Sequence, residues 1–347
     1  MTSRKVLMGN AKSFNFHFDV IVDNRLEVLR DSEDESFDNF SRDVARGLGA
    51  KNKFLPPKYF YDQIGSDLFL KITQTEEYYP TRTEMSILKN FSSQIAERCP
   101  HINTLVELGS GSSEKINTLL EKFHQNGHNL KYVPIDISDI TIEGSVQLLK
   151  KYNRLSVTGI ISDYKKSLAF LSQIETDPKL VVFLGSSIGN FNPNEIEDFL
   201  TMIRKSLNAE DFLMIGFDLV KDRDILLAAY NDAQGITRDF NLNVLERINR
   251  ELGGDFNLRK FEHCAYYNEE NSRIEMYLVS KEAQTVTIDA LNRKISFAAD
   301  ETIHTENSHK FTQEMIRSYI INTGLEYVES WTDPQEYFSV CLFKQAV

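Results

Sequence analysis

Cysteine is scarce, with only Cys99, Cys264 and Cys341 in 347 residues, odd in number and far apart. That excludes a disulfide framework or a zinc site and fits reduced thiols. Positive charge is also short: 39 Lys and Arg stand against 51 Asp and Glu, a formal charge of −12. So acidic a surface repels phosphate backbones and anionic lipid, so neither nucleic acid nor a membrane is an expected partner. Long apolar runs are missing, and the opening "MTSRKVLMGNAKSFNFHFDV" has no continuous apolar core, so we expect no secretory or spanning segment and a cytoplasmic location. There is no internal repeat or low-complexity tract, and only 8 prolines. With 41% apolar and 11% aromatic residues, the chain should fold throughout, as about two units.

What is present is an alternation. Short β-rich apolar runs, "TLVEL" (Thr104 to Leu108), "KYVPIDI" (Lys131 to Ile137), "VTGIISD" (Val157 to Asp163), "LVVFLG" (Leu180 to Gly185) and "FLMIGFDL" (Phe212 to Leu219), are each followed by an amphipathic segment. This predicts an α/β fold with a parallel, doubly wound, Rossmann-like sheet and ligands at the carboxyl ends of its strands. Residues 221 to 310 break the pattern with a helical stretch, "ILLAAYNDAQGITRDFNLNVLERINREL", and several strand-like pieces, which we read as an inserted α+β unit. A helix around Thr312 to Asn322 and two runs, "EYVESWTD" and "YFSVCLFK", then complete the sheet as an antiparallel edge hairpin. Residues 1 to 50, with the acidic patch "DSEDESFDNF", read as an arm followed by a helix.

The segment "VELGSGSSEKINTLL" poses the question of ligand. A dinucleotide loop wants G-x-G-x-x-G, but after Gly109 and Gly111 the third position is Glu114, and Glu107 precedes the turn. Two carboxylates there oppose a pyrophosphate, and no G-K-[ST] follows for a P-loop. S-adenosylmethionine has no phosphate and carries a sulfonium and an ammonium, so an acidic glycine-turned pocket suits it. Asp136, at the end of the second run, can accept from both ribose hydroxyls. Asp163 can take the adenine amino group, with Tyr164 beside the ring.

The ordered motifs "LPPKYFYDQIGSDLF", "ITQTEEYYPTR", "LVELGSGSSEK", "GSSIGN", "DLVKD", "AYNDAQGITRDFN", "RIEMYL", "TENSHKF" and "WTDP" resemble those of the S-adenosylmethionine-dependent histidine Nα-methyltransferases of ergothioneine biosynthesis, from about Leu55 to the C-terminus. The resemblance implies a class I methyltransferase domain over residues 80–217 and 310–347, a substrate domain over 15–79 and 218–309, and an arm over 1–14. It implies that Gly109, Lys115, Asp136, Asp163 and Tyr164 hold the methyl donor, with Tyr61 covering it from the other domain. Tyr78, Asn190 and Tyr230 grip the amino and carboxylate ends of L-histidine, Tyr78 and Asn190 being the candidate catalytic residues, and Phe69 and Met276 flank the imidazole. No metal is implied, and a monomer is expected.

Glu306 and Ser308 decide the substrate. Two apart on an extended segment they share a face, so a carboxylate and a hydroxyl reach both nitrogens of one imidazole. A ring without those nitrogens would leave buried polar groups unpaired, which can discriminate by roughly 10⁴ to 10⁵. The alternative substrate is another aromatic amino acid, such as an indole one, and the alternative class is a donor-binding sensor without catalysis. Departures from the family pattern are Ser186 and Ser187, where glycine and threonine are expected, and His309 in place of cysteine. The plainer readings make Asn190 a cap for the helix near Pro193, Lys115 a solvated helix charge, and His124 with His128 a solvated turn.

Overall fold

The computed structural model describes residues 14, 16–20, 25–31, 36–111, 113–125, 129–137 and 140–346. In chain order the N-terminal elements are β1 (Phe16–Val20), β2 (Leu26–Asp31), α1 (Ser36–Leu48), β3 (Lys53–Phe54), α2 (Gln63–Ile72) and α3 (Tyr79–Arg98). The alternating region gives β4 (Thr104–Leu108), α4 (Glu114–Gln125), β5 (Leu130–Asp136), α5 (Ile140–Lys151), β6 (Leu155–Ile161), α6 (Tyr164–Ile174), β7 (Lys179–Phe183), α7 (Pro193–Ser206) and β8 (Phe212–Asp218). There follow α8 (Arg223–Tyr230), α9 (Ile236–Leu252), β9 (Phe261–Asn268), β10 (Arg273–Ser280), β11 (Gln284–Ile288), β12 (Arg293–Phe297) and β13 (Thr302–His309). The chain closes with α10 (Gln313–Asn322), β14 (Leu325–Thr332) and β15 (Phe338–Gln345).

Nine strands form the large sheet in the order β1-β2-β6-β5-β4-β7-β8-β15-β14. From β2 to β8 all neighbours are parallel, and β1, β15 and β14 are antiparallel to theirs. All five residues of β4 and of β7 are buried, as expected of central strands covered on both faces. Side chains alternate between two cores: Leu105, Leu180 and Val182 meet α3, α4 and α5, while Val106, Val181 and Phe183 meet α6, α7 and α10. A buried pair, Lys179 and Asp211, ties the start of β7 to the loop before β8.

The parallel runs, the final helix and the edge hairpin stand where the sequence pattern put them. Two expectations differ. The stretch 225–252 is two helices, because Gly235, with φ of 72°, adopts the left-handed conformation between α8 and α9. The early residues supply β1 and β2, and β2 pairs with β6, so 16–31 belong with the large sheet rather than with the second unit of the 15–79 division. The segment 1–13 of the expected arm lies outside the described residues.

The second unit has its own core, built from α1, α2, α8, α9 and the sheet β3-β13-β10-β9. Order 6-5-4-7-8 in the large sheet means that the connections leaving β4 and β7 diverge, opening a crevice at the strand ends. The second unit stands over that crevice, with Gly189 after β7 packed against β13: a Cβ there would lie 2.8 Å from the His309 carbonyl oxygen. Among the described residues no helix is long and apolar enough to cross a membrane.

Candidate active site

One side of the crevice is the glycine loop between β4 and α4. Gly109 (φ 70°) and Gly111 (φ 46°) are both left-handed, and a Cβ on Gly109 would lie 2.9 Å from the Tyr164 hydroxyl. The Gly111 amide donates to Asp136 Oδ2 at 3.3 Å, which sets the carboxylate at the end of β5 against the loop. Glu107, buried beneath the turn, accepts from the Tyr132 hydroxyl at 2.5 Å; burial pushes its carboxyl up to about 8 against that hydrogen bond and the Lys115 charge. Asp163 caps α6, its Oδ1 accepting from Lys166 N at 2.9 Å, and so stands just beyond β6.

Lys115 is no solvated helix charge. Its ammonium lies 2.6 Å from Glu84 Oε2, and Glu84, on α3, is fully buried. Both Glu84 oxygens also accept from the Gly185 amide, at 2.9 and 3.0 Å. One carboxylate therefore joins the first turn of α4, directly after the glycine loop, to the loop after β7. A glycine at 216 in β8 is required beside it, since a Cβ would fall 2.0 Å from Glu84 Oε1. The sequence reading missed Glu84, which has no local signal: α3 carries a second acid, Glu97, and Glu84 differs from it only in being fully buried.

Beyond β7, Gly185 (φ 83°) and Ser186 (φ 55°) lead into a 3-10 turn, Ser187–Asn190. Ser186 Oγ accepts from the Asp218 amide at 2.9 Å, so serine keeps a polar job at a position where glycine was expected. Asn190 does not cap the next helix; Asn192 does, in a capping box with Glu195. The Asn190 side chain instead faces Glu306, whose carboxyl it helps to hold down.

On β13 the pair expected to share a face does so. Ser308 and Glu306 oppose Ile274 and Met276 of β10, all on the buried face, and both are more than nine-tenths buried. A bulge at Thr305 then shifts the parity, so that Ile303, opposite Leu278, shares the face as well. Burial drives the Glu306 carboxyl up to about 7, although Lys310 and Asn190 pull the other way. Tyr230 donates to Ser308 Oγ at 2.6 Å. His309 is turned to the opposite face with Arg273; burial and Arg273 hold its ring down to about 4, and it touches neither Glu306 nor Ser308 by hydrogen bond.

Aromatic rings wall the space. Phe69 lies 5.7 Å from Tyr61 and 6.1 Å from Tyr78, and Tyr78 is 6.4 Å from Tyr230, centroid to centroid. Phe240 of α9, unforeseen from sequence, meets Tyr61 at 5.7 Å and Phe69 at 6.0 Å. Tyr61 as a residue is 36% exposed, yet burial, with Glu306, Tyr78, Tyr230 and Tyr164 adding to it, holds its hydroxyl well above an ordinary phenol. Tyr61 therefore stands between the glycine-loop side, represented by Tyr164, and the Glu306 side. Burial likewise raises Tyr78 and Tyr230 well above an ordinary phenol.

The site thus has two compartments, an acidic glycine-turned one at the switch point of a doubly wound sheet and a buried polar-aromatic one beside it. A glycine loop at that switch point is the arrangement of a Rossmann-like methyltransferase. A family profile described as histidine-specific, S-adenosylmethionine-dependent methyltransferase matches residues 40–345, and the chain belongs to that family. It is 41% identical over 310 residues to the histidine N-alpha-methyltransferase of Mycolicibacterium smegmatis, covering 89% of this chain and 96% of that one. The Mycobacterium tuberculosis protein of the same name is 39% identical over 302 residues, 87% and 93% of the two chains. An L-tryptophan methyltransferase of Psilocybe serbica matches at 26% over 314 residues, 83% and 87% of the two.

Among the described residues no group of three His, Cys, Asp or Glu is placed to hold a metal ion. His124 packs on Tyr152 at 5.1 Å, and His128 lies outside the described residues.

Proposed function

We infer that this protein transfers methyl groups from S-adenosylmethionine to the α-amino nitrogen of L-histidine, up to the trimethyl betaine that begins ergothioneine synthesis. The observation that carries the reading is the buried Glu306 and Ser308 pair on one face of β13, a carboxylate and a hydroxyl with no apolar ring to serve. The donor compartment fits its ligand chemically: Asp136 and Asp163 stand at the ends of β5 and β6 beside a loop whose glycines leave room for a nucleoside.

In this reading Gly109, Lys115, Asp136, Asp163 and Tyr164 hold the donor, with Lys115 acting from its ion pair with Glu84. Tyr61 covers the donor; Tyr78, Asn190 and Tyr230 hold the amino and carboxylate groups, and Phe69 and Met276 flank the ring held by Glu306 and Ser308. S-adenosylmethionine supplies an electrophilic methyl on a sulfonium, so the residues chiefly have to fix the amine in line at about 3 to 3.5 Å. Raised as they are, the Tyr78 and Tyr230 phenols stay protonated and serve as hydrogen-bonding groups, not as bases. An α-amine of pKa roughly 8 is already partly neutral near physiological pH. Both compartments come from one chain, which supports a monomer, and the free thiols with the charge of −12 support a cytoplasmic enzyme acting on a small molecule rather than on nucleic acid or membrane.

The test is mass analysis of a reaction with the donor and a mixture of all twenty amino acids. Histidine is expected to gain one to three methyl groups while tryptophan gains none. Equal turnover of tryptophan would transfer the assignment to the indole amino acids, and donor binding with no methylated product would make the protein a sensor.

A further inference from the structure

Beneath the ring-binding strand lies a charged layer that the proposed contacts leave unexplained. Lys310, one residue past β13 and fully buried, places its ammonium 2.9 Å from Asp218 Oδ2, 2.8 Å from Ser308 Oγ and 3.1 Å from the Tyr230 hydroxyl. Three protons thus have three acceptors. The Tyr230 hydroxyl donates in turn to Ser308 Oγ at 2.6 Å. A serine oxygen has two lone pairs and one proton. Lys310 and Tyr230 fill both lone pairs, so the proton is what Ser308 has left to offer.

We infer that Lys310, anchored by Asp218, is a positioning and specificity-determining residue that fixes Ser308 as a hydrogen-bond donor, so that the site selects a neutral imidazole presenting its bare nitrogen to Ser308 and its N–H to Glu306. This rests on the proposed ring contacts of Glu306 and Ser308. Neutral histidine carries one nitrogen of each kind. An imidazolium has two N–H groups, one of which would face the Ser308 proton with a buried cation behind it. An indole has an N–H and no bare nitrogen, so the Ser308 proton would be left unpaired. Asp218 does not depend on Lys310 alone, since Lys221 lies 2.5 Å from its Oδ1 and the Tyr79 hydroxyl donates to it at 2.7 Å. Replacing Lys310 therefore leaves that carboxylate partnered.

The first measurement uses the wild-type chain with ring-15N histidine and S-adenosylhomocysteine, by NMR near pH 6.5, where a free imidazole is about half protonated. One bare and one protonated nitrogen are expected in the bound ring. Two protonated nitrogens overturn the inference, even where histidine is methylated; absence of histidine turnover and binding overturns the functional reading itself. The second compares Lys310→Met with Lys310→Gln. Methionine is expected to raise the histidine KM about tenfold or more, the order of a lost charge-assisted hydrogen bond, with the donor KM little changed, and to lower by a similar factor the preference for histidine over 3-(2-thienyl)alanine. Glutamine, which keeps an N–H for Ser308, should recover part of the loss, and Ser308→Ala should add little to Lys310→Met. Equal losses for both replacements, or an unaltered thienylalanine ratio, overturn it.

Discussion

Replacing Glu306 by glutamine should make the protein more stable and less able to bind histidine. Burial raises the carboxyl from its ordinary 4.5 to about 7. For an acid raised on folding, the folded state prefers the proton, so the ionised form weakens the fold. Below the unfolded value both states are protonated and the penalty is absent. It grows as pH rises from about 4.5 to about 7 and is constant above that. At 1.36 kcal/mol per pH unit the full effect is about 3 kcal/mol. Glutamine keeps the shape and stays neutral, so at pH 8 we expect a gain of about 1 to 3 kcal/mol, the lower figure allowing for the amide's own burial. Near pH 4.5 the gain should vanish. Urea melts of the ligand-free chain at the two pH values measure this, and the histidine KM of the same variant should rise by about tenfold or more, as expected of a lost hydrogen bond to a charged group. A variant equally stable at pH 8, or one stabilised to the same extent at both pH values, would refute the electrostatic argument. A stabilised variant with an unchanged histidine KM would keep the electrostatics and remove Glu306 from the ring.

Two further outcomes follow from close contacts. Gly189→Ala puts a methyl 2.8 Å from the His309 carbonyl oxygen and 3.2 Å from its nitrogen, so the 3-10 turn carrying Asn190 must lift off β13; steady-state kinetics should show a higher histidine KM with donor affinity, by calorimetry, little altered. Lys115→Met strips the buried Glu84 of its cation, which should cost about 3 to 5 kcal/mol in denaturant melts, and Glu84→Gln in the same chain should restore much of it; no restoration would mean that the pair is not what holds α4 to the loop after β7.

The large sheet was legible because its central strands are hydrophobic on both faces and end in glycine or aspartate, a pattern that needs no tertiary information. β2 was not, since its "LEVLRD" is broken by Glu27 and Arg30 rather than hydrophobic on both faces, and it earns its place only by pairing with β6, more than 120 residues on. Gly235 reads as a helix residue in a periodic window, and only its left-handed φ reveals the break. At the site, the two-residue spacing of Glu306 and Ser308 carried through because alternation is local. Extending the same alternation by one step reaches Lys310, which was overlooked because a lysine just past a largely polar strand is ordinarily assigned to solvent. Glu84 and Phe240 are different: they enter through helices distant in sequence, and nothing near them in the chain announces where they point.

The first turns of α3 carry Tyr78 at their head and Glu84 six residues later. At 1.5 Å per residue that is about 9 Å of rigid rod, with a buried phenol against Phe69 and Tyr230 at one end and the clasp of Glu84 on Lys115 and Gly185 at the other. The helix is in effect a caliper. Inserting or deleting one residue between the two would swing the phenol by about 100°, whereas any point substitution on its outer surface leaves the gauge as it was.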